Sequence, residues 1–289
     1  MTNSVYTLPC SFTLTVTPAL LEITDRVRDT EAKCRKRFGQ REENGLIRTL
    51  IAGKVTKASL LAADLSLSDE DFLSSCFSMK GKPWEEARMR RDMRERIRLY
   101  RRLSEGTASV PGTPEELIGL WKIATEGEVP LYREAGIPQF RVKGIPFAHT
   151  AFPFETAPVP GPGYVTADPE DIPREVEALL GFIHEKTIPL EIRAAAAHFI
   201  HVQIHPFRDG NGHTARTLTC SMLSEHYSRA TLLSFLTRLQ SERKRMSEAI
   251  RDTVAAHADA ENVTRLCLEL LLESISDDAA VNGRLISAS

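Results

Sequence analysis

Two apolar, helix-compatible runs flank the string His205-Pro206-Phe207-Arg208-Asp209-Gly210-Asn211-Gly212-His213-Thr214-Ala215-Arg216. The run before it, Ala194 to Ile204, has little polar surface and predicts a central, buried helix. The run after it, Thr214 to Tyr227, predicts another helix. The string is therefore a loop held between two helices. Gly210-Asn211-Gly212 frees the backbone to take positive φ, so successive N–H groups can converge on one point. That point is also the N-terminus of the following helix, where unpaired N–H groups and the helix dipole favour an anion. A phosphate suits it. Asp209 beside such a nest makes sense if a divalent cation bridges carboxylate and phosphate, since two bare anions would repel. Arg216, one helical turn in, offers a fork of donors to a second phosphate. His205 has the side chain suited to accepting a proton near neutrality.

A Gly-Asn-Gly turn alone would be an ordinary connection between helices. The joint spacing of His, Phe, Asp, the two glycines and Arg is much more specific. It resembles the Fic-domain signature HPFx(D/E)GN(G/K)RxxR, matching at His205, Pro206, Phe207, Asp209, Gly210, Asn211, Gly212 and Arg216. It departs at His213, where the family usually has Arg. The resemblance implies an all-α protein: a Fic-fold helical bundle with a small β-hairpin flap. It implies a protein adenylyltransferase that moves AMP from Mg-ATP to a Ser, Thr or Tyr hydroxyl of a target protein. His205 would take the proton of the attacking hydroxyl, and Asp209 would hold magnesium on the α- and β-phosphates. The N–H groups of Gly210 to Gly212 and the Asn211 side chain would cradle the α-phosphate, with Arg216 on the terminal phosphate. Phe207 would be a buried anchor. His213 joins the nucleotide-binding set in place of Arg, and a neutral imidazole cannot supply the double fork of a guanidinium. Another donor, giving phosphate, UMP or phosphocholine, is the alternative. A weakly active adaptor that binds a partner through its N-terminal helices is the reading from a different class.

Two further expectations follow from the resemblance. Gly127 to Tyr164 carries seven prolines from Pro130 onward, with Phe140-Arg141-Val142 and Ile145-Pro146-Phe147 as candidate short strands. The family places its flap here, so residues 139–150 are expected to hold the target segment by strand addition, for which an exposed hairpin edge suffices. Many Fic proteins also carry an inhibitory helix, [S/T]xxxE[G/N], whose glutamate pairs with the last Arg of the signature. Glu43-Asn44 matches its E-N end on a helix expected over 40–52, although the Ser/Thr position falls on Gly39. Glu42 serves if the register slips.

The rest of the chain sets bounds. It has 289 residues, 42% hydrophobic and 26% charged, which is ordinary for a globule with a large core. A net charge of −2 provides no global basic field for nucleic acid. The five cysteines are scattered without CxxC or CxxH spacing, which points to a reducing compartment. No run of 18 apolar residues predicts a membrane span. The expected compartment is the cytoplasm, with export as an effector the alternative. ATP and a target protein are the expected partners, with room for a homodimer. The Gly/Ser/Pro-rich stretch from Gly106 to Pro114 divides the chain into an N-terminal helical region at 1–106, a core domain at 107–251 and a helical extension at 252–289.

Ser4 to Thr17 reads as an edge strand or an arm, and Thr17-Pro18 as a helix start. From Trp84 to Leu103 a helix carries eight arginines, most simply a solvated face. His198, His201 and His205 fall at i, i+3 and i+7, so a zinc or iron site is conceivable. Packed core histidines are the preferred reading for the first two, because Pro206 ends the helix at His205 and no second carboxylate completes a ligand set.

Overall fold

A computed structural model describes residues 3–37, 83–125, 166–168, 170–207, 210–256 and 259–286. The fold is all-α with a small antiparallel hairpin at its N-terminus. Strands β1 (Ser4–Thr7) and β2 (Thr13–Val16) pair with Ser4 opposite Val16. Leu14 and Val16 of β2 point inward, as a period of two requires. A 3-10 turn at Pro9–Ser11 joins the strands, and the Cys10 N–H donates to the Glu175 carboxylate at 2.6 Å. The strand-or-arm stretch is thus a hairpin fixed to the body. Asp259 fastens it further: its carboxylate accepts from the Thr15 N–H at 2.9 Å, from the Thr15 hydroxyl, and from the Glu261 N–H at 2.8 Å.

Helix α1 (Pro18–Arg37) starts where Thr17-Pro18 predicts, with the Leu20 N–H on Thr17 Oγ1 at 3.3 Å. Then come α2 (Pro83–Glu105), α3 (Pro114–Thr125), α4 (Ile172–Ile183) and α5 (Leu190–Ile204). The chain continues with α6 (Asn211–Leu223), α7 (Arg229–Ser241), α8 (Arg243–Ala255) and α9 (Glu261–Ile286). The last helix runs about three turns beyond Ile275, where the apolar pattern stops.

Helix α5 is the centre. Ala194 to Ala197 are all buried and carry no bulk, so α4, α6 and α9 can pack closely around it. Phe199, Ile200 and Ile204 fill the remaining space, and Phe12 of the hairpin meets Phe199 edge-on at 5.1 Å. Each such side chain, fully buried, contributes about 1.5–3 kcal/mol. The result is a rigid rod whose C-terminal end presents His205.

One expectation fails. Helix α2 is not simply a solvated face: Met93, Ile97 and Leu99 are buried, and so are Glu95, Arg96 and Arg102. The reason is that α2 packs against both α3 and α7, with facing polar groups that answer part of its charge. The stretches expected as a helix over 40–52 and as the hairpin at 139–150 lie outside the described residues. Among the described residues, no helix is long and apolar enough to cross a membrane.

Candidate active site

Helix α5 stops at Ile204 because Pro206 cannot continue it. His205 caps it in the left-handed conformation, φ 52° and ψ 54°, with its N–H on the His201 carbonyl at 3.0 Å. A non-glycine residue costs about 1–2 kcal/mol there, so the surrounding contacts hold it in place. His205 Nδ1 lies 3.2 Å from the Val202 carbonyl oxygen. A carbonyl only accepts, so the proton sits on Nδ1 and Nε2 is left in its acceptor form. That is the tautomer a general base needs.

The loop is closed by one side chain. The Phe207 N–H donates to Asn211 Oδ1 at 2.9 Å, and Asn211 Nδ2 donates to the Phe207 carbonyl at 2.7 Å. The amide expected to face a phosphate therefore has both polar atoms on the loop itself. Phe207 is fully buried and stacks on Trp121, with ring centroids 5.0 Å apart and planes 18° apart. Trp121 and Thr125 also press on Gly210, which takes φ +79°. A Cβ there would meet Thr125 Cγ2 at 2.3 Å and Trp121 Nε1 at 2.9 Å. Both the conformation and the space require glycine. Gly210→Ala is expected to cost about 1–3 kcal/mol of stability, read by denaturant unfolding. Unfolding like that of the unaltered chain would mean that the loop gives way easily.

From Gly210 the chain enters α6. The first intrahelical bond runs from the Thr214 N–H to the Gly210 carbonyl at 2.9 Å, so the N–H groups of Asn211, Gly212 and His213 precede the ladder. They form the positive end of a thirteen-residue helix beside His205.

Arg216 reaches into a buried polar cluster, while its Nη1 stays near Gly212, where an added Cβ would stand 3.3 Å from it. Its Nε and Nη2 donate to the two oxygens of Glu95 at 2.8 and 2.9 Å. His213 Nδ1 stands 3.1 Å from Glu95 Oε2, and Gln240 Nε2 donates to the same oxygen at 3.0 Å. Arg96 Nε in turn donates to Gln240 Oε1 at 2.8 Å. Glu95 is 2% exposed and Arg216 is 7% exposed. Burial alone would raise the Glu95 carboxyl, but Arg216 and His213 outweigh it and hold the group well below the usual carboxylate range.

Residues 99–223 match the model of the Fic/DOC family. This segment is a Fic domain. The chain is similar in fold to a Fic family protein from Desulfovibrio desulfuricans G20, with a TM-score of 0.63 and 17% identity over 96% of this chain and 78% of that one. It is similar to a fragment of Fic-1 from C. elegans, at a TM-score of 0.53 and 16% identity over 90% and 71% of the two chains. A Fic-domain-containing signaling protein from Bacteroides thetaiotaomicron VPI-5482 gives 0.53 and 12% over 92% and 98%. No curated protein matches the chain.

The Fic domain brings His205, Gly210, Asn211, Gly212, His213 and Arg216 to one end of α5 and α6. Arg208, Asp209, Glu42 and Glu43 lie outside the described residues. Glu95 was not singled out from the sequence. It lies on α2, four residues before the matched segment, and among eight arginines it reads as one more surface acid. Leu99, at i+4 on the same side, is the signal that this side of α2 turns inward. His198 and His201 are both buried, and burial pushes each down to about 3. They are neutral core histidines. His198 Nδ1 lies 3.4 Å from the Thr219 hydroxyl, and the ring nitrogens of His201 have no hydrogen-bond partner among the described residues. Nor do the described residues include a group of three His, Cys, Asp or Glu placed to hold a metal ion.

Proposed function

We propose that this Fic domain transfers AMP from Mg-ATP to a hydroxyl of a target protein. The observation that supports it most is at His205: Nδ1 faces the Val202 carbonyl, which leaves Nε2 of the neutral ring as an acceptor, six residues before α6 begins. The hydroxyl oxygen attacks the α-phosphorus, its proton passes to His205 Nε2, and the bond to the bridging oxygen breaks to release pyrophosphate. The N–H groups at the start of α6 bind the α-phosphate, and Asn211 keeps the loop in shape. Asp209 would hold the magnesium, since one carboxylate completed by phosphate oxygens and water suits that ion, and the ion would neutralise phosphate charge. The target segment would lie along 139–150.

Arg216 gives Nε and Nη2 to Glu95, and its Nη1 lies near Gly212. A terminal phosphate that takes the full guanidinium fork must compete with Glu95, which would hold transfer back at rest. Glu95 and Glu43 are then the two candidates for the restraining carboxylate. The reading is tested by incubating the full chain with ATP labelled on either the α- or the γ-phosphate, as the unaltered protein and as Glu43→Gly and Glu95→Gln. Retained α-label is expected, rising in the variant that removes the restraint. Retained γ-label would replace AMP by phosphate as the transferred group. Label retained by none of the three would favour the adaptor reading.

A further inference from the structure

A second cleft, of about 380 Å³, opens at the far end of α5, between α1, the start of α5 and the turn from α6 to α7. Glu191 in its wall is 14 residues from His205, about 21 Å at the helical rise of 1.5 Å per residue. The two sites are separate.

Two carboxylates form the base of this cleft, and both are buried at 4% exposure. Glu31 accepts from the Ser228 N–H at 2.7 Å, the Thr231 hydroxyl at 2.7 Å and Arg35 Nε at 2.9 Å. Glu191 accepts from the Tyr227 hydroxyl at 2.9 Å and from Arg28 Nε and Nη2 at 2.9 and 2.6 Å. Their negative charge is thus answered from within the protein. The N-termini of α5 and α7 lie at the same place and add positive potential.

The guanidiniums are placed differently. Arg28 and Arg35 are about half exposed, at 48% and 47%. Among the described residues, Arg35 bonds to Glu31 through Nε and its two Nη groups make no hydrogen bond. Among them too, Arg28 Nη1 makes a single long contact, 3.9 Å to Asp25. If these arginines served merely to tie α1 to the body, Arg35 Nε and the Arg28 pair would be enough. The remaining donors face a concave space whose rim carries the exposed His226. Ala32 and Leu190 supply an apolar wall beside them.

We propose that this cleft binds a small organic anion. Its carboxylate or phosphate is held by the outward donors of Arg28 and Arg35, and its apolar body lies on Ala32 and Leu190. At the base Glu31 and Glu191 are matched by Arg35 and Arg28, and the outward N–H donors of the two guanidiniums set the sign of the ligand. The volume suits one small molecule and not a peptide.

Calorimetric titration of the full chain with phenyl phosphate, benzoate and inorganic phosphate tests this. At least one organic anion is expected to bind one to one. Phenyl phosphate binding more tightly assigns a phosphate group, and benzoate binding more tightly assigns a carboxylate. Arg35→Ala is expected to weaken binding about tenfold through loss of a charged hydrogen bond. Lys244→Ala, at an exposed position on α8, should leave it unchanged. Should Arg35→Ala unfold, His226→Ala at the exposed rim provides the comparison, with a several-fold loss expected. Three results overturn the proposal: no binding of either organic anion, inorganic phosphate binding as tightly as the better of the two organic anions, or binding lost in Lys244→Ala and kept in Arg35→Ala.

Discussion

Glu95→Ala is expected to destabilise the chain by about 3–5 kcal/mol, the usual cost of removing one partner from a buried ion pair. The substitution removes the carboxylate that pairs with Nε and Nη2 of the buried Arg216 and the acceptor for the Gln240 amide. The loss exceeds the worth of the bonds themselves, because the guanidinium stays buried while its bidentate partner is gone. Glu95→Gln keeps the shape and one acceptor oxygen, so its loss should be smaller. The pH dependence distinguishes the charge from the packing. The folded carboxyl sits well below its ordinary value of 4.5. A lowered value means that the unfolded chain binds more protons as the pH falls. The stability is therefore complete above about pH 4.5 and is lost as the pH drops toward the folded value. In urea unfolding, the gap between the unaltered chain and Glu95→Gln should be wide at pH 7 and should narrow below pH 4.5. A gap that does not vary with pH would mean that shape, not charge, is what Glu95 supplies.

His205→Ala should slow transfer by about 100- to 10,000-fold, the usual contribution of a general base. Nucleotide binding should survive, since the proposed phosphate cradle is made of backbone at the start of α6. The left-handed backbone at His205 allows a cleaner variant. His205→Gly removes the ring and relieves the conformational cost in the same step. It should be as inactive as His205→Ala yet no less stable than the unaltered chain, and added imidazole should restore part of its rate. Loss of nucleotide binding along with activity would instead make His205 a structural cap.

The loop from His205 to Arg216 was legible because everything it encodes is local. Pro206 stops a helix, Gly210 takes a positive φ, and Asn211 bonds four residues back to Phe207. The start of α1 was legible for the same reason. Glu95 was not, because its bond to Arg216 spans 121 residues and depends on how α2 lies across α6 and α7. A count of charges along α2 makes it a wet surface, and only tertiary packing decides which charges turn inward. The demand on Gly210 was half legible: the turn asks for glycine, but the walls of Trp121 and Thr125 come from α3, far earlier in the chain. The second cleft lay beyond reach too, since Arg28, Glu31 and Arg35 read simply as the polar side of a helix.

The central claim is tested most directly by the intact mass of a protein substrate, beginning with the chain itself. The full chain carrying Glu95→Gln or Glu43→Gly is incubated with Mg-ATP, with the matching His205→Ala double variants as controls. The expected result is a mass increase of one AMP per modified hydroxyl, present with His205 and absent without it. An increase of the same size in the His205→Ala forms would contradict the account.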